Sequence, residues 1–232
     1  GHFRGLCLSG REGGVIVDVK EIIAKRVALE LKDGDLVNLG IGTPTLVANY
    51  IPAGMEVVLH SENGFVGLGA ETGDWDQDVV NTGGQPAAIL PGGASFDSAM
   101  SFAIVRGGHL DMTVLGALEV DQDGNLANWM VPGKIVPGMG GAMDLVAGAK
   151  KVVVAMEHTA KNGSPKILPQ CTLPLTGEGV VDMIVTNLAV FSFQDGRLVL
   201  QELAPEATLE QVREATAAEF VVSSGLKTMP IS

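Results

Sequence analysis

Leu36-Val37-Asn38-Leu39-Gly40-Ile41-Gly42-Thr43-Pro44 reads as a short apolar strand that breaks into a glycine turn, where Thr43 can cap and Pro44 can start a helix. Upstream, Asp18 with Glu21 forms a capping pair, and Val19, Ile23, Val27 and Leu31 repeat at i+4 until Asp33-Gly34 ends the pattern. The unit is therefore helix, strand, glycine turn, helix. Such alternation is the signature of an α/β domain with a mainly parallel open sheet flanked by helices.

The same rhythm continues downstream. Strands are expected at Met55 to His60, near Ala87 to Leu90 and at Leu110 to Leu115, with a helix from about Asp97 to Val105. Lys151 to Met156 is β-branched enough for a buried strand. Two β-hairpin additions are read at Val120 to Leu126 and at Phe191 to Leu200, the latter turning through Gln194-Asp195-Gly196-Arg197. Thr208 with Gln211 caps a last helix. Residues 1–16 read as a leader or expression remnant, expected to be poorly ordered, and residues 17–232 as one domain without internal repeat or linker.

Composition narrows the function. The chain has 232 residues, enough for one large domain with a substantial core. Its hydrophobic residues, 46% of the total, never run to the ~18 consecutive positions of a membrane span. Lys plus Arg number 15 against 27 Asp plus Glu, and the formal charge of -12 opposes a broad nucleic-acid surface. The two cysteines, Cys7 and Cys171, support no disulfide framework, so a reducing, cytoplasmic setting is expected.

Glycine-rich turns supply the candidate sites: Gly40-Ile41-Gly42, the loop Asn63 to Gly69, Asn81-Thr82-Gly83-Gly84, and Gly138-Met139-Gly140-Gly141. None completes a dinucleotide fingerprint or a P-loop. The last leads into a helix expected at Ala142 to Gly148, where free N–H groups can hold an oxyanion. His2, His60, His109 and His158 lack metal-ligand spacing and read as structural. Ser95, Ser98 and Ser101 have no base beside them and read as capping or helix-surface residues, and Cys171 reads as packing. Glu62 stands where a strand meets the glycine-rich loop, with apolar Phe65, Val66 and Leu68 around it. A carboxylate is ionised at neutral pH and can attack a carbonyl without a general base.

Ser61-Glu62-Asn63-Gly64 followed by Gly67-Leu68-Gly69 resembles the glutamate signature of family I coenzyme A transferases, in their β (B) chain. Phe96-Asp97-Ser98, Arg106-Gly107-Gly108-His109, Pro132-Gly133-Lys134, Gly138 to Leu145, Met156-Glu157-His158 and Cys171 to Thr176 are similar to the 3-oxoacid and acetate (butyrate)-acetoacetate branch. The resemblance runs from about Val19 to Val222. It implies the family I fold, Glu62 as a nucleophile that becomes a γ-glutamyl-CoA thioester, and an oxyanion hole at Gly141 and Gly140. It also implies substrate or CoA contacts at Asn63, Gly64, Gly40, Gly42 and Gly84, although some relatives carry Lys where this chain has Gly84. Coenzyme A would be substrate and covalent intermediate, with no permanently bound cofactor and no metal. The partner would be an α subunit in a hetero-oligomer, and the substrates short-chain acyl-CoA and an acid such as acetoacetate. A 3-oxoadipate CoA-transferase β subunit and a non-catalytic scaffold subunit on the same fold remain alternatives. A sugar-phosphate isomerase is disfavoured, since no acid/base pair accompanies the glycine turns.

Overall fold

The computed structural model describes residues 18–69, 76, 78–133 and 138–231, so the expected leader 1–16 and Lys134 lie outside the described residues. In chain order the helices are α1 (Val19–Ala28), a 3₁₀ helix (Thr43–Tyr50), α2 (Ser98–Arg106), α3 (Ala142–Gly148) and α4 (Leu209–Ala215). The strands are β1 (Leu36–Leu39), β2 (Val58–Ser61), β3 (Phe65–Gly69), β4 (Ala88–Ser95), β5 (Met112–Leu115), β6 (Glu119–Asp121), β7 (Leu126–Ala127), β8 (Val152–Ala155), β9 (Ile167–Leu168), β10 (Met183–Val185), β11 (Ala189–Gln194), β12 (Arg197–Leu203) and β13 (Val221–Thr228). Ten strands form one sheet in the order β13-β12-β11-β10-β8-β5-β1-β2-β3-β4. The central run from β10 through β8, β5 and β1 to β2 is parallel, and antiparallel hairpins extend it on both sides. The small sheet β7-β6-β9 stands apart.

Because side chains alternate along a strand, the sheet divides its apolar residues between two cores. Val153 and Ala155 of β8 join Val37, Met112 and Val114 beneath Ile23, Ala24 and Val27 of α1. Val152 and Val154 face the opposite way, with Leu115, Leu145, Val146, Ile184 and Phe191. All four residues of β5 and of β8 are buried, as strands covered on both faces must be.

Local chemistry set several boundaries where they were expected. Asp97 Oδ1 accepts from Met100 N at 2.9 Å and starts α2. Thr208 and Gln211 complete a reciprocal capping box on α4. The β11–β12 turn places Asp195 and Gly196 at φ 49° and 71°, the left-handed pair a tight hairpin needs.

Two expectations were corrected. The strand placed at Met55 to His60 begins only at Val58, because its parallel partner starts at Leu36, which pairs with Val58. Glu56 instead binds the turn before β1, accepting from Gly34 N at 2.7 Å and donating to Asp33 Oδ1 at 2.7 Å. Nor is Thr43 the cap of the next helix: Gly42 holds that position at φ 87°, and Thr45 Oγ1 reaches back to Gly40 O at 3.0 Å. Among the described residues no helix is long and apolar enough to cross a membrane.

Candidate active site

Glu62 follows the last residue of β2, at the carboxyl end of the parallel strands, where open α/β sheets carry their ligand sites. Its side chain is half-buried. Beneath it, three strands each place one polar residue at the same register: Asn38 of β1 pairs with His60 of β2 on one side and Thr113 of β5 on the other. All three are at most 1% exposed. They belong to the sheet face opposite α1, since their neighbours Val37, Leu59, Met112 and Val114 fill the α1 core. α2 adds the fully buried Ser101.

Hydrogen bonds direct this polar row at Glu62. Asn38 Nδ2 donates to Glu62 Oε2 at 2.7 Å, and Thr113 Oγ1 lies 3.5 Å from Asn38 Oδ1. Ser101 Oγ donates to the Glu62 carbonyl at 2.8 Å, and His60 Nε2 meets the same hydroxyl at 3.0 Å. A hydroxyl has one proton, and the carbonyl can only accept. His60 Nε2 therefore carries the hydrogen, which leaves Nδ1 as a lone pair facing Asn38 Nδ2 at 3.4 Å. Burial pushes the imidazole pKa down to about 4, so the ring is neutral at neutral pH, as this pattern requires.

Gly141, the N-cap of α3, lies close against the Glu62 side chain. Its φ of -86° would suit any residue, so conformation does not explain the glycine. Space does: a Cβ there would lie 3.3 Å from Glu62 Cγ and 3.2 Å from the Phe102 ring. Gly140 precedes it at φ 55°. Gly64 turns the chain after Glu62 at φ 138°, where a Cβ would come within 2.5 Å of Phe96 O. Asn63 is tied away from Glu62: Ser61 Oγ donates to its Oδ1 at 2.6 Å, and its Nδ2 donates to Val80 O at 2.7 Å. Phe65 is buried, and Val66 and Leu68 are half-buried.

A cavity of about 270 Å³ opens nearby, lined among others by Leu39, Ile41, Leu46, Leu59, Ser61 and Gly83. Gly40 and Gly42 flank its lining residues Leu39 and Ile41, and Gly84 follows Gly83, without themselves lining it. Gly40 packs against β5, its N–H bonded to Val114 O at 2.8 Å, while a Cβ on Gly42 or Gly84 would meet nothing within 4 Å. The structure thus brings Gly141 against Glu62, with Gly140 next to it in the chain, and leaves Gly40, Gly42 and Gly84 beside residues that line a neighbouring cavity.

Ser101 is a correction to the sequence reading, because it is neither a cap nor on the helix surface. Asn38 and Thr113 were not singled out at all. The available signal was a polar residue inside each of two otherwise apolar strands, since a buried polar group is the informative exception. Cys171 is half-buried, and burial, with the charges of Asp121 and Glu119 behind it, pushes its thiol up to about 12. Such a thiol is not a nucleophile at neutral pH.

Comparison with known proteins places the chain in a family. The coenzyme A transferase family model matches residues 20–215. The chain is 60% identical over 217 residues to the beta chain of the acetate CoA-transferase of Haemophilus influenzae, covering 93% of this chain and 97% of that protein. It is 53% identical over 206 residues to the B chain of the succinyl-CoA:3-ketoacid coenzyme A transferase of Helicobacter pylori, covering 88% and 99%. An acyl-CoA transferase of Escherichia coli O157:H7, solved as the apoenzyme, superposes with a TM-score of 0.76 at 26% identity, over 93% of this chain but 44% of that one. This chain therefore spans less than half of that solved protein. With a family match over nearly all its described length and such identity to two of its relatives, the chain belongs to the coenzyme A transferase family.

Proposed function

We propose that this chain is the β subunit of an α/β CoA-transferase and that Glu62 is its nucleophile. The observation that carries the reading is the Glu62 carboxylate itself. It is oriented by a neutral amide at 2.7 Å, pressed against Gly141, and joined to no cation in an ion pair among the described residues. A carboxylate held this way keeps its charge available for attack.

The reaction runs in two mirrored halves. Glu62 attacks the carbonyl of an acyl-CoA, the carbon–sulfur bond breaks, and CoA thiolate leaves behind a mixed anhydride. The thiolate then adds to the glutamyl carbonyl, and the first acid departs as its carboxylate, leaving the Glu62-CoA thioester. A second carboxylate reverses both steps. No net proton moves, which is why a site without a titrating base suffices. N–H groups of Gly140 and Gly141 are the proposed oxyanion donors, and Phe65, Val66 and Leu68 help exclude water from the thioester. Substrate and CoA contacts are proposed at Asn63, Gly64, Gly40, Gly42 and Gly84.

The substrates are short-chain: acetate or acetoacetate, with acetyl-, butyryl- or succinyl-CoA. The names of the two relatives support this, as does their designation as beta and B chains. The unmatched part of the Escherichia coli chain leaves room for what an α subunit would supply. A chain this acidic also leaves cationic CoA contacts to a partner. The paucity of cysteines supports a cytoplasmic, reducing setting.

The test is transfer by co-purified α and β chains across a panel of acids. The expected result is turnover with acetate or acetoacetate and its complete loss in Glu62→Gln. Retained transfer in that variant would overturn the assignment of Glu62.

A further inference from the structure

Helices α2 and α3 pack against each other and support the candidate site from two sides. Ser101 of α2 donates to the Glu62 carbonyl at 2.8 Å, and Gly141, the N-cap of α3, lies against Glu62 Cγ. At one point the helices touch backbone to backbone: Gly148 leaves no room for a Cβ beside the Val105 carbonyl. Toward Gly141 a side chain fills the space, since a Cβ there would stand 3.2 Å from the Phe102 ring of α2. Arg106, the last residue of α2, joins these parts. Its Nε donates to Asp144 Oδ1 of α3 at 2.7 Å, and its guanidinium lies 5.4 Å from the centroid of the Phe102 ring. Among the described residues no other ion pair links the two helices.

A second surface pair makes the comparison. Lys150 Nζ lies 2.8 Å from Asp111 Oδ1, and its side chains are 61% and 31% exposed, against 66% and 31% for Arg106 and Asp144. Exposed pairs of this kind contribute little to stability, and on that ground the two are equals. They differ in what they hold. Asp111 and Lys150 precede β5 and β8, at the amino ends of the parallel strands, whereas Glu62 follows the carboxyl end of β2. Arg106 instead touches both the helix that begins at Gly141 and the ring against which Gly141 packs.

We propose that Arg106 is a positioning residue, which through Asp144 and the Phe102 ring fixes the approach of Gly141 to Glu62. The proposal rests on the reading of Glu62 as nucleophile and of Gly141 as oxyanion donor. An oxyanion donor must stand about 2.7–3.1 Å from the place where charge develops, so a shift of α3 by a few tenths of an ångström weakens it. The uncharged carbonyl of bound acyl-CoA is far less sensitive to that shift. Loss of the Arg106 tie therefore slows the chemical step and leaves substrate binding nearly as it was.

The experiment is single-turnover thioester formation with acetyl-CoA in the co-expressed α/β complex, followed by intact mass. Arg106→Gln and Asp144→Asn are each expected to slow adduct formation about fivefold, with KM for acetyl-CoA little changed. The double variant is expected to be no slower than either single one, because both remove the same tie. Lys150→Gln, which breaks the matched pair at the far end of the strands, is expected to react at the wild-type rate. Because the rate constant is read per reacting site, partial unfolding lowers only the amplitude, and Asp144→Asn carries the test should Arg106→Gln fail to fold. Wild-type rates in Arg106→Gln, losses that multiply in the double variant, or an equal loss in Lys150→Gln would each overturn the proposal while leaving Glu62 in place. An unmodified wild-type complex would instead remove the reading on which it rests.

Discussion

The molecule contains two buried histidines in nearly the same electrostatic condition. His60 and His158 are each 1% exposed, and burial pushes both pKa values down to about 4, with Lys166 adding to the effect at His158. What differs is where their hydrogen bonds lead. His158 Nδ1 meets Thr186 Oγ1 at 2.8 Å and its Nε2 meets Thr216 Oγ1 at 2.9 Å. Thr186 in turn bonds the backbone of Leu188 and Ala189, so this network closes on itself and cross-links the segments that follow β8, β10 and α4. The His60 network runs through Ser101 and Asn38 to the half-buried Glu62 carboxylate beside Gly141. A depressed pKa therefore marks burial at both places, and only one of them adjoins the proposed nucleophile.

The contrast can be broken most sharply by deleting each imidazole. His60→Leu removes the ring contacts to Asn38 Nδ2 and Ser101 Oγ and so loosens the support of Glu62; turnover is expected to fall about 10²-fold, as small misplacements of reacting groups do. His158→Leu is expected to leave turnover per folded molecule unchanged while destabilising the fold by about 1–3 kcal/mol through unsatisfied hydroxyls. Steady-state kinetics with urea titration on both variants would decide, and equal losses of turnover would erase the distinction.

A smaller effect tests the close approach of Gly141 to Glu62 on the His60 side. Gly141→Ala brings a methyl to 3.3 Å from Glu62 Cγ and 3.2 Å from Phe102, so one of them must shift by a few tenths of an ångström. About a tenfold loss in kcat is expected, with thermal stability little altered. Unchanged kcat would mean that the site tolerates displacement of Glu62.

The least difference between the regions is expected in acid. Both histidines bind a proton more readily in the unfolded chain, near pH 6.5, than in the fold, near pH 4. Their contribution is therefore fully present above pH 6.5 and is lost as pH falls toward 4, by up to about 3 kcal/mol for each. Urea midpoints across that window should fall, and fall less in either His→Leu variant. A flat profile in the wild type would contradict neutral burial of both rings.

Much of this architecture was legible because it rests on local chemistry. The Asp97 cap, the Thr208–Gln211 box, the β-branched run of β8 and the Asp195-Gly196 turn all act within a few residues of chain. The start of β2 was misplaced because it is set by a partner strand, not by its own sequence. Glu62 and Gly141 stood out through motif and resemblance. Asn38, Thr113 and Ser101 did not, since an Asn, a Thr and a Ser separated by dozens of residues become one constellation only when β1, β2 and β5 pair in register and α2 lies over them. Sequence periodicity shows which residues alternate along a strand, but not which ones stand side by side across it.

The most direct measurement is intact-mass analysis of the α/β complex after brief exposure to acyl-CoA, with peptide mapping of the product. A mass gain equal to coenzyme A less one water, located on Glu62 and released by hydroxylamine or by an acceptor carboxylate, is the predicted result. Transfer activity without any such adduct, or with the adduct on another residue, would contradict the account.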